Sequence, residues 1–160
     1  MRRIIIIAVL VSMIVGCNSS HIPKGEKLFN VPFESTIELL WCNKKYTGRI
    51  ERKDVSSMQI SLLSEILTSE ITYIIKDNSF VMQNDGLEFS MQYKDAPSES
   101  AAIVIYELLL LVSQAELSVD KDTTVFSLPK GVITYDNNKD KPIEIEMKDG
   151  KLKFIDFKYI

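Results

Sequence analysis

The sequence predicts an α+β domain in which a curved antiparallel sheet, a half-barrel of about eight to nine strands, wraps one long apolar helix. Three observations lead there. Apolar and polar residues alternate with period two from Phe33 to Tyr93. An almost unbroken apolar run, Ala101 to Val112, follows a polar loop that contains Pro97. Alternation then resumes and closes on a segment punctuated by Asp149-Gly150, a strong two-residue hairpin signal.

In chain order, Ile37, Leu39 and Trp41 share one strand face, with Asn43-Lys44 as the turn behind them. Tyr46, Gly48 and Ile50 form the next set, Met58, Ile60 and Leu62 the third, and Ile71, Tyr73 and Ile75 the fourth. Phe80 to Gln83 is a short strand. Asn84-Asp85-Gly86 then tolerates the positive φ of a tight hairpin, and Leu87, Phe89, Met91 and Tyr93 alternate beyond it. One face of this meander is apolar and the other polar, as an antiparallel sheet with one wet face requires.

The helix is expected over Ala101–Val112, with Ser98 as its N-cap and Glu99 in the first turn, where the helix dipole favours an acid. Ser100, Glu107 and Gln114 make one narrow polar stripe, so the helix is buried on most sides. Strands resume at Thr123–Leu128, Val132–Tyr135 and Pro142–Lys148. A turn at Asp149-Gly150 would pair Met147 with Leu152, Glu146 with Lys153 and Ile145 with Phe154. Past Phe154 the apolar phase slips by one, to Ile155, Phe157 and Tyr159, which predicts a bulge near Phe154-Ile155.

Ahead of this domain, Arg2 and Arg3 precede an apolar run from Ile4 to Val15, too short for the ~30 Å hydrocarbon core of a membrane. Ile14-Val15-Gly16-Cys17 resembles the lipobox of bacterial lipoproteins. That resemblance implies cleavage before Cys17 and a diacylglycerol on its sulfur, anchoring the chain outside the cytoplasm on the cell membrane. The organisation expected is a signal peptide over 1–16, lipidated Cys17 and tether over 17–32, and one domain over 33–160. His21, the sole histidine, falls in the tether and reads as solvated surface.

Composition narrows the chemistry. Without Arg2 and Arg3, 17 basic residues stand against 22 acidic ones, and no basic tract exists to meet nucleic acid. The domain has no histidine, nucleophile elbow, phosphate loop, dinucleotide fingerprint or zinc spacing. No enzyme, metal or cofactor is therefore expected. Cys42 follows Trp41 like half of a thioredoxin-type site, but the second cysteine is missing. It shares a strand face with Leu40 and is expected to be a buried structural thiol. Glu144 and Glu146 alternate with isoleucine on a solvated face, and Asp136–Asp140 lacks the glycine and glutamate of a calcium loop.

The run Ser64–Tyr93, the Pro97-Ser98 helix start, the strand beginning Lys141-Pro142-Ile143 and the Asp149-Gly150 hairpin resemble the lipoprotein-carrier family of the LolA and LppX type. They are closest to uncharacterised lipoproteins of low-GC bacteria. The resemblance spans about Phe33 to Ile160. It implies a cleft between sheet and helix that holds acyl chains. The chain departs from the pattern in lacking the long N-terminal helix of those carriers. The expected lining of an apolar cavity is Met58, Phe80, Met82, Phe89, Met91 and Tyr93 from the sheet side, with Ile105 and Leu109 from the helix. Two functions fit: a membrane-anchored lipoprotein binding a lipid or other apolar ligand, and an envelope interaction module with a filled core.

Overall fold

A computed structural model describes residues 31–64 and 69–160. The expected signal peptide, Cys17, His21 and nearly all of the expected tether lie outside the described residues. The described residues from Phe33 onward form one antiparallel sheet of eleven strands and one α-helix. The strands are β1 (Phe33–Trp41), β2 (Lys44–Asp54), β3 (Ser57–Ser64), β4 (Ile71–Lys76), β5 (Ser79–Asn84), β6 (Leu87–Gln92), β7 (Glu116–Val119), β8 (Thr123–Leu128), β9 (Gly131–Asp136), β10 (Lys141–Met147) and β11 (Gly150–Tyr159). Their order across the sheet is β6-β5-β4-β3-β2-β1-β11-β10-β9-β8-β7. Two meanders thus run outward from the central pair β1 and β11, leaving β6 and β7 as edges.

The expected fold class needs correction on two counts. The strands number eleven, not eight to nine, and the helix is short. Helix α1 spans Ala101–Leu111, eleven residues, continued by a 3-10 turn at Val112–Gln114. At 1.5 Å per residue it is about 16 Å long, less than the width of four strands at their ~4.8 Å spacing. Its N-cap is Ser100, not Ser98: the Ser100 hydroxyl accepts the amide hydrogen of Ile103. The run stays largely buried, with seven residues (Ala102 to Tyr106, Leu108 and Leu109) inside the core.

Register places Phe33, Ile37, Leu39, Ile50, Met58, Ile60 and Ile75 on one face, all buried in the core cluster that includes the helix. Elements from both wings of the sheet reach α1. Arg52 of β2 donates to the Leu109 carbonyl, the Tyr93 ring packs on Tyr106, and Lys130 from the β8–β9 turn pairs with Glu107. Both wings of the sheet thus supply contacts to the same short helix. Gly48 marks a close approach of β2 and β3. A Cβ built there would lie 1.9 Å from the Ser61 carbonyl oxygen, so the two backbones approach where only glycine fits.

The expected bulge is present. Ser35 and Ile37 pair with Phe157 and Phe154, so Ile155 and Asp156 oppose the single residue Thr36. Phe157 and Tyr159 return to the core side, whereas Ile155 is left exposed. The last hairpin is two residues out of the expected register. Met147 pairs with Gly150, Ile145 with Leu152 and Glu146 with Lys151, around a Lys148-Asp149 turn. Gly150 therefore belongs to the strand, opposite Trp41, where a Cβ would meet the Leu40 carbonyl oxygen at 2.2 Å. A shift of two preserves the faces, so Ile145 still points inward. Lys151, in place of Lys153, bridges Glu144 and Glu146 at 2.8 and 2.9 Å.

Candidate functional site

On the core-facing side, cross-strand register arranges side chains in rows. One row runs Arg52, Met58, Ile75, Phe80, Met91, and the next runs Ile50, Ile60, Tyr73, Met82, Phe89. A third runs Gly48, Leu62, Ile71, Asn84, Leu87. The first two are buried at β2 and β3, the third at β3, and all open toward β6. Ile50 and Ile60 are fully buried, Tyr73 and Met82 are half-buried, and Phe89 is 62% exposed. Leu87, at the end of its row, is 76% exposed. The short helix covers the sheet's centre but not this wing. An apolar shelf of Ile71, Tyr73, Met82, Leu87, Phe89 and Met91 continues the core into solvent.

The eight residues expected to line a cavity separate into three groups. Met58, Phe80, Ile105 and Leu109 are buried in packed core. Met82, Met91 and Tyr93 are partly buried at its border, and Phe89 stands outside it. The sheet residues among them do share one face. The expected lining missed Ile71, Tyr73 and Leu87, although their alternation with polar neighbours placed them in the same phase as Met82 and Phe89.

The border carries a polar cluster. Tyr93, in a 3-10 turn at Tyr93–Asp95, donates its hydroxyl to Glu107 Oε1 at 3.3 Å, and Lys130 pairs with Glu107 Oε2. Glu107 is the one acid on the helix, and these contacts explain its tolerance there. Burial, then the nearby Glu107 carboxylate, pushes the Tyr93 hydroxyl up to about 12. The sign follows. An unfolded tyrosine ionises near pH 10 and the folded one near 12. Folding then holds the extra proton, and stability is lost as pH rises through that window. Thermal melts are expected to show a declining melting temperature between about pH 10 and 12. Tyr93→Phe should flatten part of the slope, the remainder coming from Tyr73, Tyr106 and Tyr135, which burial also pushes up. A slope unchanged in Tyr93→Phe would refute the assignment.

Two clefts lie elsewhere. One of about 270 Å³ at the start of α1 is lined by Trp41, Ser98, Val104, Lys130 and Met147 among others. The other, about 470 Å³, includes Glu38, Leu40, Lys45, Lys151 and Lys153 from the outer face. Neither is lined by any of the eight expected residues. Cys42 contradicts its expected burial. It is exposed in the β1–β2 turn at φ 48°, with Asn43 at φ 63°, and its amide donates to the Asp149 carbonyl. The turn begins one residue earlier than its Asn43-Lys44 signal, which carries Cys42 out of the strand.

No protein-family model matches the chain, and no curated protein matches it. Solved structures do. An uncharacterised conserved protein from Thermus thermophilus superposes with a TM-score of 0.56 at 11% identity, over 86% of this chain and 83% of that one. MucB, in its complex with MucA(peri), aligns with a TM-score of 0.43 at 10% identity over 89% of this chain. That alignment spans 55% of the MucB chain, about half its length. The first likeness shows a shared fold; the second is too loose to argue from.

Proposed function

We propose that this protein is a non-enzymatic binding module of the cell envelope, held on the extracytoplasmic side of the membrane by a diacylglycerol on Cys17. Its working surface is the shelf beside α1, and its ligand is an acyl chain. One observation carries the reading: along one cross-strand row, apolar side chains pass from full burial at Ile50 and Ile60 to open exposure at Phe89, with Leu87 exposed at the end of the next row. Leaving such residues in water costs roughly 1.5–3 kcal/mol each, which an apolar ligand would recover. Met82 and Met91 on the shelf can reshape around chains of different length. The export signal supports the reading, because it puts the shelf within reach of lipid.

The test is mass spectrometry of an organic extract of the natively purified protein, together with uptake of a fluorescent fatty acid. Wild type is expected to carry lipid and take up the probe. Leu87→Asp with Phe89→Asp should weaken uptake on the order of tenfold or more while leaving the melting temperature near wild type, since both positions are exposed. An extract free of lipid, combined with no uptake, rejects acyl binding and leaves the interaction module as the better reading.

A further inference from the structure

The edge strand β6 offers a surface that the shelf does not use. Its turn, Asp85-Gly86, has φ 49° and 78°, the signs of a type I′ hairpin. In such a hairpin the flanking residues Asn84 and Leu87 form a hydrogen-bonded pair, and bonded and non-bonded pairs alternate from there. The amide of Tyr93 donates to the Asn78 carbonyl at 2.8 Å, which fits that phase. Leu87, Phe89 and Met91 therefore direct their main-chain groups at β5. Glu88, Ser90 and Gln92 direct theirs outward, at the open edge.

Edges of this kind are ordinarily protected by lysine, proline or a bulge. The strand Leu-Glu-Phe-Ser-Met-Gln has none, and its register with β5 is unbroken. The other edge, β7, is only four residues long and runs into Asp120, Lys121 and Asp122. We propose that β6 pairs antiparallel with β6 of a second copy of this chain, about a two-fold axis at Ser90. That register engages every outward-facing group of the strand. It sets Glu88, the only charge on β6, opposite Gln92 of the other copy, so no like charges meet. It also sets Phe89 beside the other copy's Met91, a favourable sulfur–aromatic contact, and joins the two shelves into one surface. The registers shifted by two leave part of the edge unpaired. An isologous contact of this kind closes at two copies, because each β6 edge is consumed.

The experiment uses the full chain in its own membranes with Cys42→Ser and Ser90→Cys, treated with a short bifunctional maleimide. Ser90→Cys is expected to give a covalent dimer at several-fold higher yield than Thr47→Cys, an exposed position away from the edge. Adding Gln92→Glu, which sets two glutamates face to face across the axis, should cut that yield several-fold; Gln92→Lys should keep it. A Ser90→Cys yield no greater than that of Thr47→Cys, or one indifferent to Gln92→Glu, overturns the proposal. Lipid in the extract reads out the acyl-binding function separately, so the two can fail independently.

Discussion

Gly48→Ala is expected to destabilise the domain by about 3 kcal/mol or more, at the severe end of single substitutions. The added methyl would sit 1.9 Å from the Ser61 carbonyl oxygen, 3.0 Å from its carbon and 3.1 Å from the Leu62 Cα. All three are backbone atoms, so no side chain can swing aside. Relief requires β2 and β3 to separate where Gly48 pairs with Leu62, two residues from the fully buried pair Ile50 and Ile60. Opening that pair admits water to the centre of the core. The comparison is Thr47→Ala next door, on the exposed face, which should stay within about 0.5 kcal/mol of wild type. Thermal or denaturant unfolding followed by circular dichroism measures both. A Gly48→Ala protein as stable as Thr47→Ala would mean that the strands part freely and that their close approach does not depend on glycine.

Strand positions were legible in the sequence wherever a strand has one wet and one buried face, because alternation records that asymmetry. β7 left no such record: all four residues, Glu116 to Val119, are exposed, so its apolar pair Leu117 and Val119 marks no boundary with a core. Gly150 misled for a different reason. Glycine serves both positive-φ turns and close backbone approach, and only the position of Leu40 tells the two apart. The site was legible by face but not by extent. Period two placed Met58, Phe80, Met82, Phe89 and Met91 on one side of the sheet. Which of them the helix covers depends on where a helix of eleven residues lands, and that is a matter of tertiary packing. Arg52 was signalled by phase and masked by type. It falls in step with Tyr46, Gly48 and Ile50, which predicts an inward side chain, yet arginine in an alternating segment reads as solvent-facing.

That buried arginine supports the second large prediction. Arg52 is 2% exposed, and its guanidinium donates to the carbonyls of Leu109 at 3.4 Å, Asp54 at 3.2 Å and Val55 at 3.4 Å. Leu109 lies in the last turn of α1, where carbonyls have no partner within the helix and the dipole favours a cation. Burial lowers the arginine's pKa, but a guanidinium stays protonated in proteins, so the charge persists beside the helix end. Arg52→Met keeps much of the volume and removes the donors. Leaving the buried Leu109 carbonyl unsatisfied costs about 1–3 kcal/mol, and losing the cation at the helix terminus adds up to about 2. The expected total is about 1–5 kcal/mol. Arg52→Lys should recover only part of it, because a single ammonium cannot span three carbonyls. Hydrogen exchange separates this mechanism from simple packing loss. Amides at the end of α1 and in the 3-10 turn Val112–Gln114 should exchange faster by a larger factor than those of β1 and β11. Uniform acceleration across sheet and helix would assign Arg52 to core packing alone. Selective fraying would show that the helix is held over the sheet by its C-terminal end, and with it the boundary at which the core stops and the shelf begins.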